Sequence, residues 1–227
     1  HVAIKRPINL APNVVLQYSI KAKQRGIPIG GESSWHWRSS QQNNQAVYFV
    51  SNEVRASLFG KIQETQSEGV IDEYGLAPRQ FTEKRFRKDP TSTRFDPETR
   101  QISFTDSPRN YALQGGEQDR SSVIWQLIAT ARAHPKQFVS GSQWSFFVAG
   151  RRDAEPWVFK VLQQESIGTP MGKLNSWHLI RLPPPDSKDQ QLDIWLGHNL
   201  DWYPLRLRFM DADGDFVDQT LEKIEKQ

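Results

Sequence analysis

The chain has 227 residues, 37% hydrophobic and 24% charged, with a net charge of +3; that composition sustains a core and excludes wholesale disorder. It contains no cysteine, which excludes disulfides, thiolate chemistry and cysteine-ligated zinc. The charge excess is small and no basic run is interleaved with aromatics, so no nucleic-acid partner is predicted.

No apolar stretch approaches the ~20 residues that a membrane-crossing helix needs. The chain opens at His1 without a methionine or a signal peptide. It therefore reads as a piece of a longer protein, with any export signal or anchor upstream. Residues 1–11 read as an extension or linker remnant, and 12–227 as one β-rich domain.

The first strand is predicted after Pro12, where Val14, Leu16, Tyr18 and Ile20 alternate with other residues. Trp35 and Trp37 share a face of the second, which follows Gly30-Gly31. A third spans Gln45 to Val54. A fourth runs from Leu58 to Val70, with Ser67-Glu68-Gly69 turn-like. Arg79 to Lys88 reads as a highly charged strand, and Thr93 to Phe104 as a hairpin turning at Asp96-Pro97-Glu98-Thr99.

One helix stands out. Gln118 to Ser122 supply capping residues, then Val123, Ile124, Leu127, Ile128 and Ala131 form one apolar stripe that His134-Pro135 ends. Strands resume at Trp144–Val148, Pro156–Val161 and Ser176–Arg181, and the pattern closes with alternating runs between Leu192 and Ile224. About ten strands and one helix predict a mainly β fold, a single curved antiparallel sheet or partly open barrel. Eight tryptophans first suggest core filling, because aromatics suit wide sheet interiors.

Candidate chemistry is sparse. Asp211, Asp213, Asp215 and Glu222 match ligand positions of a calcium loop, but the place that needs glycine holds Phe216 and the flanks alternate as strands. Asp213-Gly214 is instead predicted as a hairpin turn. His36, His134, His178 and His198 lie far apart with no second ligand at metal spacing, so no metal site is predicted. Neither a nucleophile motif nor a phosphate loop occurs, and no cofactor is predicted. The pairs Asp72/Glu73 and Asp96/Glu98 lie in turn-rich stretches that account for them without catalysis.

The arginines on strands carry more weight. Arg206 and Arg208 share one face of their strand, and Arg79, Arg85 and Arg87 share another with Phe81 and Glu83. They read either as a wet outer face or as guanidinium forks in the concavity of a bent sheet, gripping an anionic ligand over an aromatic floor.

Several strings then resemble the DUF3108 family of bacterial envelope proteins. They include Ser67-Glu68-Gly69-Val70-Ile71 with Gly75-Leu76-Ala77-Pro78 and Phe81, the Gln118 to Ser122 helix start, and Gly168-Thr169-Pro170-Met171-Gly172. His178 to Arg181, Trp195-Leu196, Pro204 to Arg208 and Asp213-Gly214 continue the likeness, which spans the chain from about Val14 onward. The chain departs from the family pattern at Gly197-His198-Asn199, where Ala-Pro-Asp is usual. The resemblance implies an exported protein in the periplasm, in some relatives behind an N-terminal anchor. It also implies a sheet like the half-barrels of lipoprotein carriers, wrapped around the helix near 119–134. It supplies no catalytic residues.

The expectation is a non-catalytic periplasmic carrier for an envelope lipid, glycan or lipoprotein segment. Arg79, Arg85, Arg87, Arg206 and Arg208 would be its polar contacts, and Trp35, Trp37, Trp125 and Trp157 its apolar ones. Any membrane attachment would come through an upstream anchor. The competing readings are an envelope-polysaccharide enzyme using a carboxylate pair and a scaffold that docks a protein at a sheet edge.

Overall fold

A computed structural model describes residues 1–227. Residues 1–13 carry no regular element. Eight strands follow as a meander: β1 (Val14–Gln24), β2 (Ile27–Gln42), β3 (Gln45–Ala56), β4 (Gly60–Asp72), β5 (Gly75–Arg85), β6 (Thr91–Asp96), β7 (Gln101–Phe104) and β8 (Ser107–Ala112). A two-residue strand β9 (Gln118–Asp119) leads into the helix α1 (Ser122–Ala133). A second meander completes the chain: β10 (Gln143–Ala149), β11 (Ala154–Thr169), β12 (Gly172–Arg181), β13 (Gln191–Gly197), β14 (Tyr203–Met210) and β15 (Phe216–Lys226).

All fifteen strands form one sheet in the order β8-β7-β6-β5-β4-β3-β2-β1-β15-β14-β13-β12-β11-β10-β9. Each neighbouring pair is antiparallel except β9 with β10. The two meanders are joined where β1 pairs with β15, so the first and last strands lie at the sheet's middle. The strands therefore form one mainly β sheet with a single helix, as expected.

Connectivity forces that sheet to curl. Laid flat, fifteen strands would span about 65 Å. Only Leu113–Glu117 connect β8 at one edge to β9 at the other, and a link of that length reaches about 20 Å at most. The edges must therefore come together around α1, which fills the hollow. Ten of the helix's residues, Ser122 through Ala131, are buried. Val14, Leu16 and Tyr18 of β1, Ile194 and Leu196 of β13, and Leu205 and Leu207 of β14 close on it as one core.

The polar helix residues Ser122, Gln126 and Thr130 recur at four-residue spacing and so form a stripe of their own. Gln126 turns toward the start of β5: its Oε1 accepts Leu76 N–H at 2.9 Å and its Nε2 donates to Tyr74 O at 3.1 Å. That contact requires Gly75, which has φ +104°, and any Cβ there would lie 2.4 Å from the Gln126 amide.

Several expected boundaries move. The fourth strand begins at Gly60 rather than Leu58, because Ser57–Phe59 form the turn. Ser67-Glu68-Gly69 is no turn but the interior of β4, beside a register shift at Glu68/Gly69. A Cβ on Gly69 would meet Ala77 O at 2.2 Å, so that glycine permits close backbone approach and does not mark a reversal. The Asp213-Gly214 turn is wider than two residues, since Asp211 N–H donates to Asp215 O at 3.0 Å. Its carboxylates are used locally: Asp211 accepts the N–H groups of Asp213 and Asp215, and Asp215 accepts Arg25 N–H at 2.6 Å.

Candidate functional site

The four predicted tryptophans converge. Trp35 and Trp37 project inward from β2, Trp157 from β11 and Trp125 from α1, and all four belong to one buried cluster. Trp37 stacks on Trp125 with ring centroids 4.9 Å apart and planes 7° apart. Tyr48 extends the stack behind Trp37, and Tyr203 meets Trp125 edge-on. Trp37 Nε1 donates to Ala11 O at 2.9 Å. The indole N–H groups of Trp35 and Trp125 are buried without a partner, an uncommon condition for a polar group inside a protein.

The β9–β10 edge of the sheet meets strands β4, β5 and β6 beside this cluster along a seam built from side chains. Gln118 Nε2 donates to Leu76 O at 2.7 Å, and Thr65 Oγ1 lies 3.1 Å from Ser121 Oγ. Thr93 Oγ1 donates to Gly150 O at 2.8 Å. At the centre sits Asp119, fully buried. It accepts Ser121 N–H at 2.9 Å, Ser122 N–H at 2.7 Å and the Ser67 hydroxyl at 2.5 Å. Ser67 in turn lies 2.9 Å from the Tyr48 hydroxyl. Burial pushes the Asp119 carboxyl up to about 6, although these hydrogen bonds oppose the shift. Asp119 thus caps the helix in place of Ser121, whose own side chain makes no cap bond. In the sequence, the string Gln118 to Ser122 signals a cap but not the long-range partners Ser67 and Tyr48.

The arginines do not converge, which corrects the expectation of an arginine-lined concavity. Leu205 and Leu207 are fully buried against the core, so the alternation of β14 turns Arg206 and Arg208 to the convex face. There Arg206 pairs with Asp218 and lies 4.6 Å above the Trp195 ring. On the other strand beside it, His178 stacks on Trp195 at 4.3 Å and bonds Asp193 at 2.8 Å. Arg208 lies over Phe216. Arg87 is also misplaced, because β5 ends at Arg85. Arg87 sits at φ 54° in the next turn, exposed over Phe86. Arg85 shares the inward face with Phe81 but sits at the rim, 3.4 Å from Glu83. Arg79, half-buried at the irregularity of β5, is near enough to the buried Tyr48 hydroxyl to act on it electrostatically.

Arg206 and Arg208 therefore brace the outer surface. An Arg206→Ala, Arg208→Ala double variant should lose about 1–2 kcal/mol, or roughly 3–6 °C in Tm. Thermal unfolding checks this; a loss several times larger would mean that these side chains help to hold the core closed.

One end of the hollow is covered by the N-terminal segment. Asn9 N–H donates to Ala129 O at 3.0 Å, and Arg132 Nε donates to Asn9 O at 3.2 Å. Further out, Lys5 pairs with Glu73 at 2.7 Å and Arg6 lies 4.9 Å above the Phe146 ring. His1 stacks on Phe147 at 4.1 Å and lies 2.7 Å from the buried Glu117 carboxylate. Beneath this strap is a cavity of about 30 Å³ lined by Tyr74, Gly115, Gln126, Phe146 and Phe147 among others. It has room for roughly one or two waters.

A family model described as a protein of unknown function (DUF3108) matches residues 17–222. No curated protein matches the chain. Among solved structures, a beta-barrel-like protein of DUF1849 from Brucella abortus has a TM-score of 0.60 and 12% identity, covering 96% of this chain and 99% of that one. A candidate lipoprotein from Parabacteroides distasonis gives 0.42 and 11%, covering 99% and 100%. A candidate exported protein with a YmcC-like fold from Bacteroides fragilis gives 0.40 and 9%, also covering 99% and 100%. The first of these likenesses supports the barrel-like fold.

Proposed function

The chain belongs to the DUF3108 family of proteins of unknown function, and from that premise we propose that it is a non-catalytic carrier in the periplasm, binding an envelope component through an acyl chain. The observation that carries this reading is the seam. A barrel that closes by side-chain contacts instead of a backbone ladder can part without breaking a sheet, and behind this seam lies a packed aromatic cluster. Trp35, Trp37, Trp125 and Trp157 are its proposed apolar contacts, with Arg79, half-buried on β5, as the proposed polar one.

The interior is packed, so uptake requires the seam or the strap to open. An acyl chain entering there would replace side-chain contacts with equivalent apolar ones at little cost, whereas a glycan would bring many hydroxyls to an aromatic lining that offers few partners beyond the indole N–H groups of Trp35 and Trp125. The arrangement offers less to an enzyme. The adjacent carboxylates Glu155 and Asp189 are both engaged by the buried Arg181, at 2.7 and 2.8 Å.

Native mass spectrometry of protein freshly isolated from its source envelope should show an added mass of lipid size. A brominated fatty acid should quench the indole fluorescence saturably. Unmodified mass together with unquenched emission would overturn the proposal.

A further inference from the structure

At the end of the sheet opposite the strap, large apolar side chains stand at the tips of hairpins. Leu58 and Phe59, in the β3–β4 turn, are 89% and 60% exposed, and Phe86, in the β5–β6 turn, is 43% exposed. They are not loose ends. Ser57 N–H donates to Gly30 O at 3.0 Å and Phe86 N–H donates to Ile62 O at 2.8 Å, tying both turns to neighbouring strands. Phe59 and Phe86 meet edge-on across the gap, ring centroids 6.3 Å apart, in one continuous patch. Ile27, 63% exposed, caps the β1–β2 hairpin at the same end.

Water disfavours each of these side chains, and no core lies beneath them to explain their type. Their charged neighbours are mainly basic. Lys61 and Arg55 are held by Glu53, and Arg85 by Glu83. Arg87 and Lys88 have no carboxylate partner, and Arg87 lies over Phe86 at 4.9 Å, whereas the backbone of Arg25 is held by the Asp215 carboxylate. Asp89 is the one acid in the β5–β6 turn itself.

We propose that these tips form a docking surface for an anionic lipid bilayer. Leu58, Phe59 and Phe86 would enter the headgroup boundary, and Arg87 and Lys88 would meet lipid phosphates. Aromatic and aliphatic tips flanked by cations fit that boundary, where apolar burial and charge attraction act together. A protein partner of the same area would not require the cationic fringe. The proposal stands on the tips alone and is independent of what the interior binds.

The absence of cysteine allows a direct test. A Leu58→Cys variant of the full chain, labelled with an environment-sensitive fluorophore, is mixed with phosphatidylglycerol-containing vesicles or with pure phosphatidylcholine vesicles. Glu98→Cys, exposed in the β6–β7 turn at the other end, serves as the control. The label at 58 should shift to the blue with anionic vesicles and the label at 98 should not. Phe59→Glu with Phe86→Glu should lower vesicle partitioning at least tenfold while leaving the circular dichroism unchanged, because neither side chain supports the core. Equal shifts at both labels, equal binding to neutral vesicles, or undiminished partitioning of the glutamate variant would each overturn the proposal. Lipid-free dimerisation that the glutamates abolish would overturn it too, by assigning the patch to a second copy of the chain.

Discussion

Replacing Asp119 with alanine is expected to cost about 3 kcal/mol or more at neutral pH. The change strands the N–H groups of Ser121 and Ser122 at the start of α1 and removes the acceptor of the Ser67 hydroxyl. Replacement with asparagine should behave differently. Its carbonyl keeps both backbone donors, and its amide can donate to Ser67.

The informative readout is pH. Asp119 is held near 6 in the folded protein by burial and titrates near 4 when unfolded. Between those values the folded state keeps a proton that the unfolded state has released. Stability from this group is therefore full below about pH 4, falls as pH rises to about 6, and is level above that, a total of about 3 kcal/mol. Urea unfolding of wild type and Asp119→Asn at several pH values between 4 and 7.5 checks the sign. The difference between the two curves should tilt across that window, and parallel curves would show that the carboxyl titrates no differently when buried.

Trp125→Ala should be the most damaging single truncation in the core, at about 3–5 kcal/mol, or roughly 10–15 °C in Tm. The indole is 2% exposed, lies at the centre of the helix's packing and stacks on Trp37. Trp125→Phe should cost clearly less than Trp37→Phe, because the Trp37 N–H bonds Ala11 O whereas that of Trp125 has no partner. Losing a satisfied hydrogen bond strands its acceptor, and losing an unsatisfied donor relieves a penalty. The double Trp37→Ala, Trp125→Ala variant should be less than additive, since either change alone already removes the stack. A cost below about 1 kcal/mol for Trp125→Ala would mean that α1 is only loosely seated in the sheet.

Much of the architecture was legible from period-two alternation. Val14, Leu16 and Tyr18 all face the core as their spacing requires, and Val123 to Ala131 form the helix that their spacing predicts. What escaped was strand number. Short strands such as β9 and the polar β8 hold too few apolar residues to register, and the outer half of β11 places only Ile167 against the core among polar neighbours. The inward placement of Trp35 and Trp37 was legible because a large aromatic on the apolar face of a strand has few other places to go. The arginines were not. Alternation groups Arg206 with Arg208 but does not say which way the sheet bends.

Fold class, the place of the helix, the absence of thiol chemistry and the family all follow from local features of the chain. Local period, capping residues and composition act over a few residues and survive without tertiary context. That a five-residue link draws the two sheet edges together, that Asp119 meets Ser67 across the seam, and that Arg206 and Arg208 face outward emerge only in the folded chain. Those outcomes depend on curvature and on contacts between residues far apart in the chain, such as the 52-position separation of Ser67 and Asp119. Nothing in either residue's local sequence specifies such a pairing; it exists only once fifteen strands have wrapped around one helix.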